Sequence, residues 1–276
     1  MNIIGLGSAG CNIADEFTQY PQYKTYKVDV GIEGKRCYDV KPQKGPEEYE
    51  KNTPPMKTFF RGIKGETLFV IGGSGDVSAM CLRIMEQIKD KCELSVLYIR
   101  PDISLLSKNK ALHERATFNV LQHFARSGLL NVVYLVSNIN LENILGNVPI
   151  IGYNNKINEL LVSTMHMINV FKNLEPVMGT LSPAGETKRI CTVGIFDIEK
   201  NEEKLFFPLD TARERGYIYS ISKERLQTES GLHKKITSQM KEKSQDENVN
   251  VSFGIFSTDY KNDYGYVLAY SPNIQS

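Results

Sequence analysis

The feature that most constrains the fold is a pair of glycine-rich turns, each placed between an apolar run and a helical pattern. The first turn, GLGSAG at residues 5–10, follows the apolar start of the chain. The second, GGSGD at residues 72–76, follows the apolar run at residues 67–71. Turns of this kind join a strand to the next helix, so they predict an α/β protein. If the strands are parallel, both turns lie at the same edge of one sheet.

The amino-terminal half keeps this alternation of strand and helix. We expect a helix at 11–17, a strand at 25–31 and, after the second turn, a helix with apolar positions every three or four residues. The apolar runs LSVLYIRP and NVVYLVSN predict two strands on either side of a helix at about 107–127. Residues 32–56 contain four prolines and are expected to form an irregular loop.

A second domain is expected after a long helical pattern at residues 152–172, which contains no helix breaker. The predicted organisation is a parallel-sheet domain at 1–150, a central helix at 151–173 and a smaller α/β domain at 186–276. The last two strand runs, NVNVSFGIFSTDY and GYVLAYSP, are separated by turn residues and predict an antiparallel hairpin.

Composition limits the classes of partner. The 33 basic and 32 acidic residues nearly cancel, so there is no signal for nucleic acid. No stretch approaches the ~20 apolar residues of a membrane span. The five cysteines are scattered without a CxxC spacing, which predicts free thiols rather than a disulfide framework or a zinc site. We therefore expect a soluble cytoplasmic protein without a membrane partner.

Both glycine turns have the chemistry of a phosphate site. Gly5, Gly7 and Gly10 would let backbone amides approach phosphate oxygens, and the helix dipole favours an anion there. Asp29 follows at about the distance where a dinucleotide-binding domain places the carboxylate that binds ribose. A dinucleotide fold needs one such turn, whereas this chain has two. Neither turn carries the lysine of a P-loop, which excludes a P-loop NTPase.

Six segments, in order and spacing, resemble the tubulin/FtsZ superfamily over nearly the whole chain. GLGSAGCN resembles its GxGGxGxN opening, and VIGGSGDVSA lies where it has GGGTGTG, with Ser74 in place of the first threonine. YIRPDISLL and YLVSNINLENIL are similar to two of its strand ends. The remaining two segments are IIGYNNKINELLVSTMHMI, similar to its central helix, and NVNVSFGIFSTDYKNDYGYVLAYSP, similar to the close of its second domain.

This resemblance implies a site for GTP or GDP. It places Asn138 and Asn158 at two asparagines that bind the guanine edge. It places Asn154 where an aromatic ring stacks on the base, with Tyr153 beside it as the residue that could stack. The residues predicted to bind nucleotide are Gly5, Gly7, Ser8, Ala9, Gly10, Asn12, Asp29, Gly72, Gly73, Ser74, Gly75, Asp76, Arg100, Asn138, Tyr153, Asn154 and Asn158.

The acidic residues that the resemblance implies for hydrolysis are missing. In the superfamily, acids in the loop after the central helix act on the nucleotide of the next subunit. Here that loop reads INVFKNLEPVM and places Val170 and Asn173 at the acidic positions, so Asn173 and Glu175 are the catalytic candidates that remain. Asp76 replaces a small neutral residue beside the phosphates. It is a Mg²⁺ ligand, a sign of weakened triphosphate binding or a helix N-cap.

The favoured interpretation is a tubulin/FtsZ-like cytoskeletal protein that binds guanine nucleotide and self-assembles head-to-tail into filaments, with weak or absent hydrolysis. Compact relatives of this kind are typical of phages and plasmids. Two alternatives stay open. One is a tubulin-fold scaffold or binding protein with little nucleotide dependence, and the other is an NAD(P)-dependent oxidoreductase. The sequence identifies no filament adaptor or cargo.

Overall fold

The computed structural model describes all residues, 1–276, and they form two compact units, Met1–Val162 and Ser163–Ser276. The division between the units lies within the long helix α6 (Tyr153–Lys172), whose bounds agree closely with the helical pattern at 152–172. No helix is both long and apolar enough to cross a membrane.

The first unit is built on a six-stranded parallel sheet. Its strands are β1 (Asn2–Leu6), β2 (Lys24–Asp29), β3 (Cys37–Asp39), β4 (Gly65–Gly72), β5 (Cys92–Arg100) and β6 (Val133–Ser137). They are arranged in the order β3-β2-β1-β4-β5-β6, and every neighbouring pair is parallel. Strands β1 and β6 are buried along their whole length, as expected for a sheet with both faces covered. The predicted α/β fold class is confirmed.

Helices connect these strands. They are α1 (Gly7–Glu16), α2 (Pro46–Lys51), α3 (Cys81–Ile88), α4 (Lys108–Arg126) and α5 (Asn138–Leu145), and α6 begins in the same unit. The expectation of an irregular loop at 32–56 is wrong in part, because this stretch contains β3 and α2. Pro46 is the first residue of α2, where proline fits a helix because the missing N–H would have no partner.

The second unit contains a mixed sheet and two helices. Its elements are β7 (Met178–Thr180), β8 (Ile190–Asp197), β9 (Glu202–Leu205), β10 (Glu214–Ser222), α7 (Lys223–Thr228), α8 (Leu232–Lys243), β11 (Asn250–Thr258) and β12 (Tyr264–Ser271). The strand order is β9-β8-β12-β10-β11-β7, and β10 pairs in parallel with β11 and antiparallel with β12.

The predicted hairpin of β11 and β12 is therefore wrong, because β10 lies between them. Tyr217 in β10 is opposite Phe253 on one side and Val267 on the other. The residues of β10 from Tyr217 to Ile221 are fully buried. A central position gives both of its edges hydrogen-bond partners, which buried backbone requires.

Candidate functional site

The two glycine turns meet at the carboxyl end of the first unit's sheet. Strands β1 and β4 are parallel neighbours, with Leu6 opposite Ile71, so the turns that follow them start at the same level. A Cβ atom built on Gly72 would lie 2.9 Å from the Cβ of Ala9. The turns are therefore in direct contact, as expected from the sequence.

The glycines of the first turn serve two different structural purposes. A Cβ on Gly5 would lie 2.3 Å from the carbonyl oxygen of Gly10, and a Cβ on Gly10 would lie 2.5 Å from that of Val70. These two glycines let helix α1 pack directly on the backbone of the sheet. Gly7 instead has a φ of +68°, the left-handed conformation that glycine adopts without strain.

The start of helix α1 is open to an anion. No side chain caps the first turn, and no acidic residue lies in it. Ser8 and Ala9 are exposed there, and Asn12 is exposed one turn further on. The first backbone N–H groups of a helix have no partner within the helix, and the helix dipole favours negative charge at this end.

The second turn, Gly72–Gly75, leads into a short 3₁₀ helix, Asp76–Met80. The backbone N–H of Ser78 donates to the carbonyl of Gly75 at 3.0 Å. Its hydroxyl oxygen would lie 3.5 Å from a Cβ on Gly7, so Ser78 faces both turns. Sequence reasoning missed this buried serine because it follows the glycines and has no motif of its own.

Asp76 lies beside a cation. Its carboxylate is 3.7 Å from the Nζ of Lys110 on α4, and both side chains are about half exposed. No group of three or more His, Cys, Asp or Glu side chains is arranged to hold a metal ion. Mg²⁺ commonly takes one carboxylate plus substrate phosphates, so Asp76 fits that ion only in company with a bound nucleotide.

Asp29, at the end of β2, is attached to the first turn. One carboxylate oxygen accepts the hydroxyl of Ser8 at 3.0 Å, and the other accepts the backbone N–H of Val30 at 2.9 Å. The side chain is buried, with 8% of its surface exposed. The residue that the sequence predicted for ribose binding thus lies next to the first glycine turn.

Arg100, at the end of β5, is held by groups that sequence reasoning missed. Its Nε lies 3.4 Å from the carboxylate of Glu114, and its guanidinium lies 4.5 Å from the centre of the Phe118 ring. Glu114 is buried and also accepts the hydroxyl of Tyr98 at 2.9 Å. Its position on the apolar face of α4, one turn before Phe118, is the signal in the sequence that could have revealed it.

The two predicted base-binding asparagines lie on neighbouring helices. Asn138 is the first residue of α5, directly after β6, and Asn158 lies in the second turn of α6. Burial and a hydrogen bond with Glu142 raise the pKa of Tyr153. Glu142 is one turn after Asn138 on α5, so this bond joins the two helices. Asn154 is exposed, and Asn158 is partly buried.

The segment after α6 contains no carboxylate at the implied catalytic positions. Asn173 follows the helix, and its side-chain amide donates to the carbonyl of Asn169 at 2.9 Å. Glu175 is exposed two residues later. Asn173 therefore caps the end of the helix in the second unit, and an amide cannot accept a proton from water as a carboxylate can.

Solved structures with the same fold are tubulin-like proteins. A GTPγS-form protofilament of TubZ from Bacillus thuringiensis serovar israelensis superposes with a TM-score of 0.73 at 17% identity, covering 98% of this chain and 84% of that one. CetZ2 from Haloferax volcanii, as a GTPγS-bound protofilament, gives 0.70 at 14% identity, covering 97% and 92%. An empty FtsZ dimer from M. jannaschii gives 0.69 at 12% identity, covering 98% and 87%.

Neither a protein-family model nor a curated protein matches the sequence. At these low identities the likeness concerns the fold, which extends over almost the entire chain. The resemblance predicted from the six segments is confirmed at that level.

Proposed function

We propose that this chain, which has the fold of the tubulin/FtsZ superfamily, binds a guanine nucleotide in its first unit and assembles head-to-tail into filaments. The observation that carries the proposal is the meeting of two glycine turns from adjacent parallel strands, at the edge where α/β proteins bind ligands. The TubZ and CetZ2 structures, both GTPγS protofilaments, support the choice of guanine nucleotide and of filament.

The phosphates would bind across both turns. The uncapped start of α1 supplies backbone N–H groups around Gly7, Ser8 and Ala9. The turn Gly72–Gly75 would hold a second phosphate group with further backbone amides. Asp29 lies close enough to the first turn to accept a ribose hydroxyl while it keeps its hydrogen bond from the hydroxyl of Ser8.

The base would bind between α5 and α6. The side-chain amides of Asn138 and Asn158 each offer both a donor and an acceptor, which matches the mixed edge of guanine. Tyr153 would lie against the base, and its hydrogen bond to Glu142 would hold the ring in place. Asn154 is a further contact in this proposal, on the exposed side of α6.

Hydrolysis is proposed to be weak or absent. A subunit that activates water on its neighbour's nucleotide needs a general base, and the segment after α6 offers Asn173, which is occupied as a cap, and the exposed Glu175. Mg²⁺, if bound with the nucleotide, would be held by Asp76 and phosphate oxygens, and Lys110 would have to give up its place beside that carboxylate.

A scaffold with little nucleotide dependence is the second candidate. The Asp76–Lys110 pair favours it, because a carboxylate that has its own cation at the turn does not need a metal-bound phosphate. This candidate keeps the tubulin-like fold and predicts assembly that is the same with and without GTP.

Nucleotide binding is tested by calorimetry with GTP, GDP and NAD on the unaltered protein and on two variants. Gly7→Asp places a carboxylate at the turn and a side chain at a φ of +68°, and Asn158→Ala removes one base contact, so we expect both to abolish GTP binding. Asn155→Ala, an exposed asparagine of the same helix, is the control and should bind as the unaltered protein does. Normal GTP affinity in both variants would refute this site, and binding of NAD in place of GTP would favour the oxidoreductase.

A further inference from the structure

The second glycine turn rests on a buried polar pair. Tyr98 on β5 is fully buried, and its hydroxyl donates to the carboxylate of Glu114 on α4 at 2.9 Å. Glu114 is itself 1% exposed. The pair is therefore shielded from water, and Tyr98 and Glu114 hold each other in one geometry.

The turn lies directly against this pair. A Cβ built on Gly73 would be 2.2 Å from the Tyr98 hydroxyl oxygen and 3.1 Å from the Cγ of Glu114. The backbone N–H of Gly73 also donates to the carbonyl of Ile99, the residue after Tyr98, at 3.0 Å. The height of the turn above the sheet is thus set by where the Tyr98 hydroxyl lies, and that position is set by Glu114.

Glu114 also holds Arg100, a cation predicted to bind the nucleotide. The Nε of Arg100 lies 3.4 Å from the same carboxylate oxygen that accepts Tyr98, and the Arg100 guanidinium lies over the Phe118 ring. One carboxylate therefore fixes both the glycine turn and a positive charge at the end of the neighbouring strand.

Burial of a carboxylate such as that of Glu114 is energetically unfavourable by itself, because it moves the charge out of water. An apolar cluster of similar volume commonly gives equal or greater stability. Burial and the adjacent Glu114 charge raise the pKa of Tyr98, so its hydroxyl keeps its proton and stays a donor. The hydrogen bond between Tyr98 and Glu114 is directional and fixes the position of the hydroxyl against the turn. An apolar side chain at position 98 or 114 would not fix it.

We propose that Tyr98 and Glu114 are positioning residues for phosphate binding, which fix the Gly72–Gly75 turn and Arg100 so that both face the phosphates of the nucleotide. This inference rests on the proposed guanine-nucleotide site and adds the residues beneath it. A general loss of stability would weaken the contacts to the phosphates and to the base alike. In a positioning role, the contacts to the phosphates depend on the pair, whereas the contacts to the base, on α5 and α6, do not.

The test compares ligands with and without phosphates. Tyr98→Phe removes only the hydroxyl, and we expect the dissociation constants of GTP and GDP to rise about tenfold, as for the loss of one or two hydrogen bonds. The constant for guanosine, measured by competition with a fluorescent guanine nucleotide, should stay unchanged. Tyr26→Phe is the matched control, since Tyr26 is a buried tyrosine of the same unit that packs on Phe59 and Phe60, and it should change none of the three.

Glu114→Gln gives the same comparison if Tyr98→Phe does not fold, because it keeps the shape and removes the charge that holds Arg100. Equal losses for GTP, GDP and guanosine would mean that the pair serves stability alone and would overturn the inference, as would unchanged affinity for all three. An unaltered protein that binds neither GTP nor guanosine would refute the proposed function, and the inference with it.

Discussion

At the scale of single residues, the glycines of the first turn are required for different reasons. Gly7 supplies a left-handed backbone conformation, and a Cβ built on it would come no closer than 3.5 Å to another atom. Gly5 and Gly10 have no such conformation, and they are required because the backbones of α1, β1 and β4 approach too closely for a side chain. Mutations at these positions should therefore separate ligand binding from stability.

We predict that Gly10→Ala destabilises the protein by about 2 kcal/mol, a typical cost of forcing a methyl group into a filled space. The new Cβ would lie 2.5 Å from the Val70 carbonyl oxygen, so α1 would have to move away from the sheet. Urea unfolding measures the loss. Gly128→Ala is the control, because no atom lies within 4 Å of a Cβ built on Gly128. Only its φ of +82° is unfavourable for alanine, which should lower the stability by about 1 kcal/mol. A loss no greater in Gly10→Ala than in the control would contradict the packing argument.

At the scale of elements, the second unit joins helix α8 to its sheet through one nearly buried carboxylate. Glu203 on β9 accepts Lys243 of α8 and the hydroxyl of Tyr217 on β10, each at 2.6 Å, and it also pairs with Arg215. Burial alone would raise the pKa of Glu203, but these hydrogen bonds and the Arg215 charge outweigh it, so the pKa is lowered. Its carboxylate form is therefore part of the folded structure.

We predict that Lys243→Met costs about 2 kcal/mol at pH 7, the value of a lost hydrogen bond to a charged group. A lowered pKa means that the folded state binds fewer protons than the unfolded state. The ion pair thus contributes fully above the ordinary carboxyl value of 4.5, and its contribution is lost as the pH falls through the lowered folded value. Urea unfolding at pH 7 and pH 3 should show the difference between Lys243→Met and the unaltered protein shrinking at pH 3.

Lys241→Met, an exposed lysine of the same helix, is the control for that measurement and should have little effect at either pH. If Lys243→Met lost as much stability at pH 3 as at pH 7, the charge of Glu203 would not be the source of the contribution that Lys243 makes.

At the scale of the whole molecule, the proposed filament needs an apolar surface that assembly would cover. In the second unit, three apolar side chains just after α6 are exposed to solvent, Leu174 by 53%, Val177 by 61% and Met178 by 44%. Exposed apolar surface on a protein commonly marks a site of contact with another protein. The residues predicted to bind nucleotide lie in the first unit, so these three residues can be altered without touching them.

We predict that the unaltered protein scatters light more strongly with GTP than with GDP or no nucleotide, with little phosphate released in the same samples. Leu174→Asp should raise the critical concentration for assembly at least about tenfold, the effect of losing one strong interface contact. GTP affinity should not change. Leu129→Asp, a similarly exposed leucine of the first unit, is the control.

Equal scattering with and without GTP would instead favour the nucleotide-independent scaffold. Scattering that decays as phosphate appears would contradict weak hydrolysis and would indicate that Glu175 or another acid activates water. If Leu174→Asp assembled at the same critical concentration as the unaltered protein, these exposed apolar residues would not be part of the interface.

The sequence by itself determined the alternation of strands and helices, the parallel sheet of the first unit and the positions of both glycine turns. These features follow from local properties, since apolar periodicity sets the element type and glycine sets where the chain turns. The order of six short segments was also enough to identify the fold. The bounds of α6, of the strand that ends at Gly72 and of the strand before Asn138 lie close to those of the sequence pattern.

Only the tertiary structure decided which strands are neighbours and which charges meet. The insertion of β10 between β11 and β12 depends on edge pairing across the second unit's sheet, which turn residues do not encode. In the same way, Tyr98 and Glu114 are 16 residues apart and Asp76 and Lys110 lie on separate elements, yet each pair meets in the folded chain. Such contacts depend on register and packing at long range, and they determine what lies beneath and beside the glycine turns.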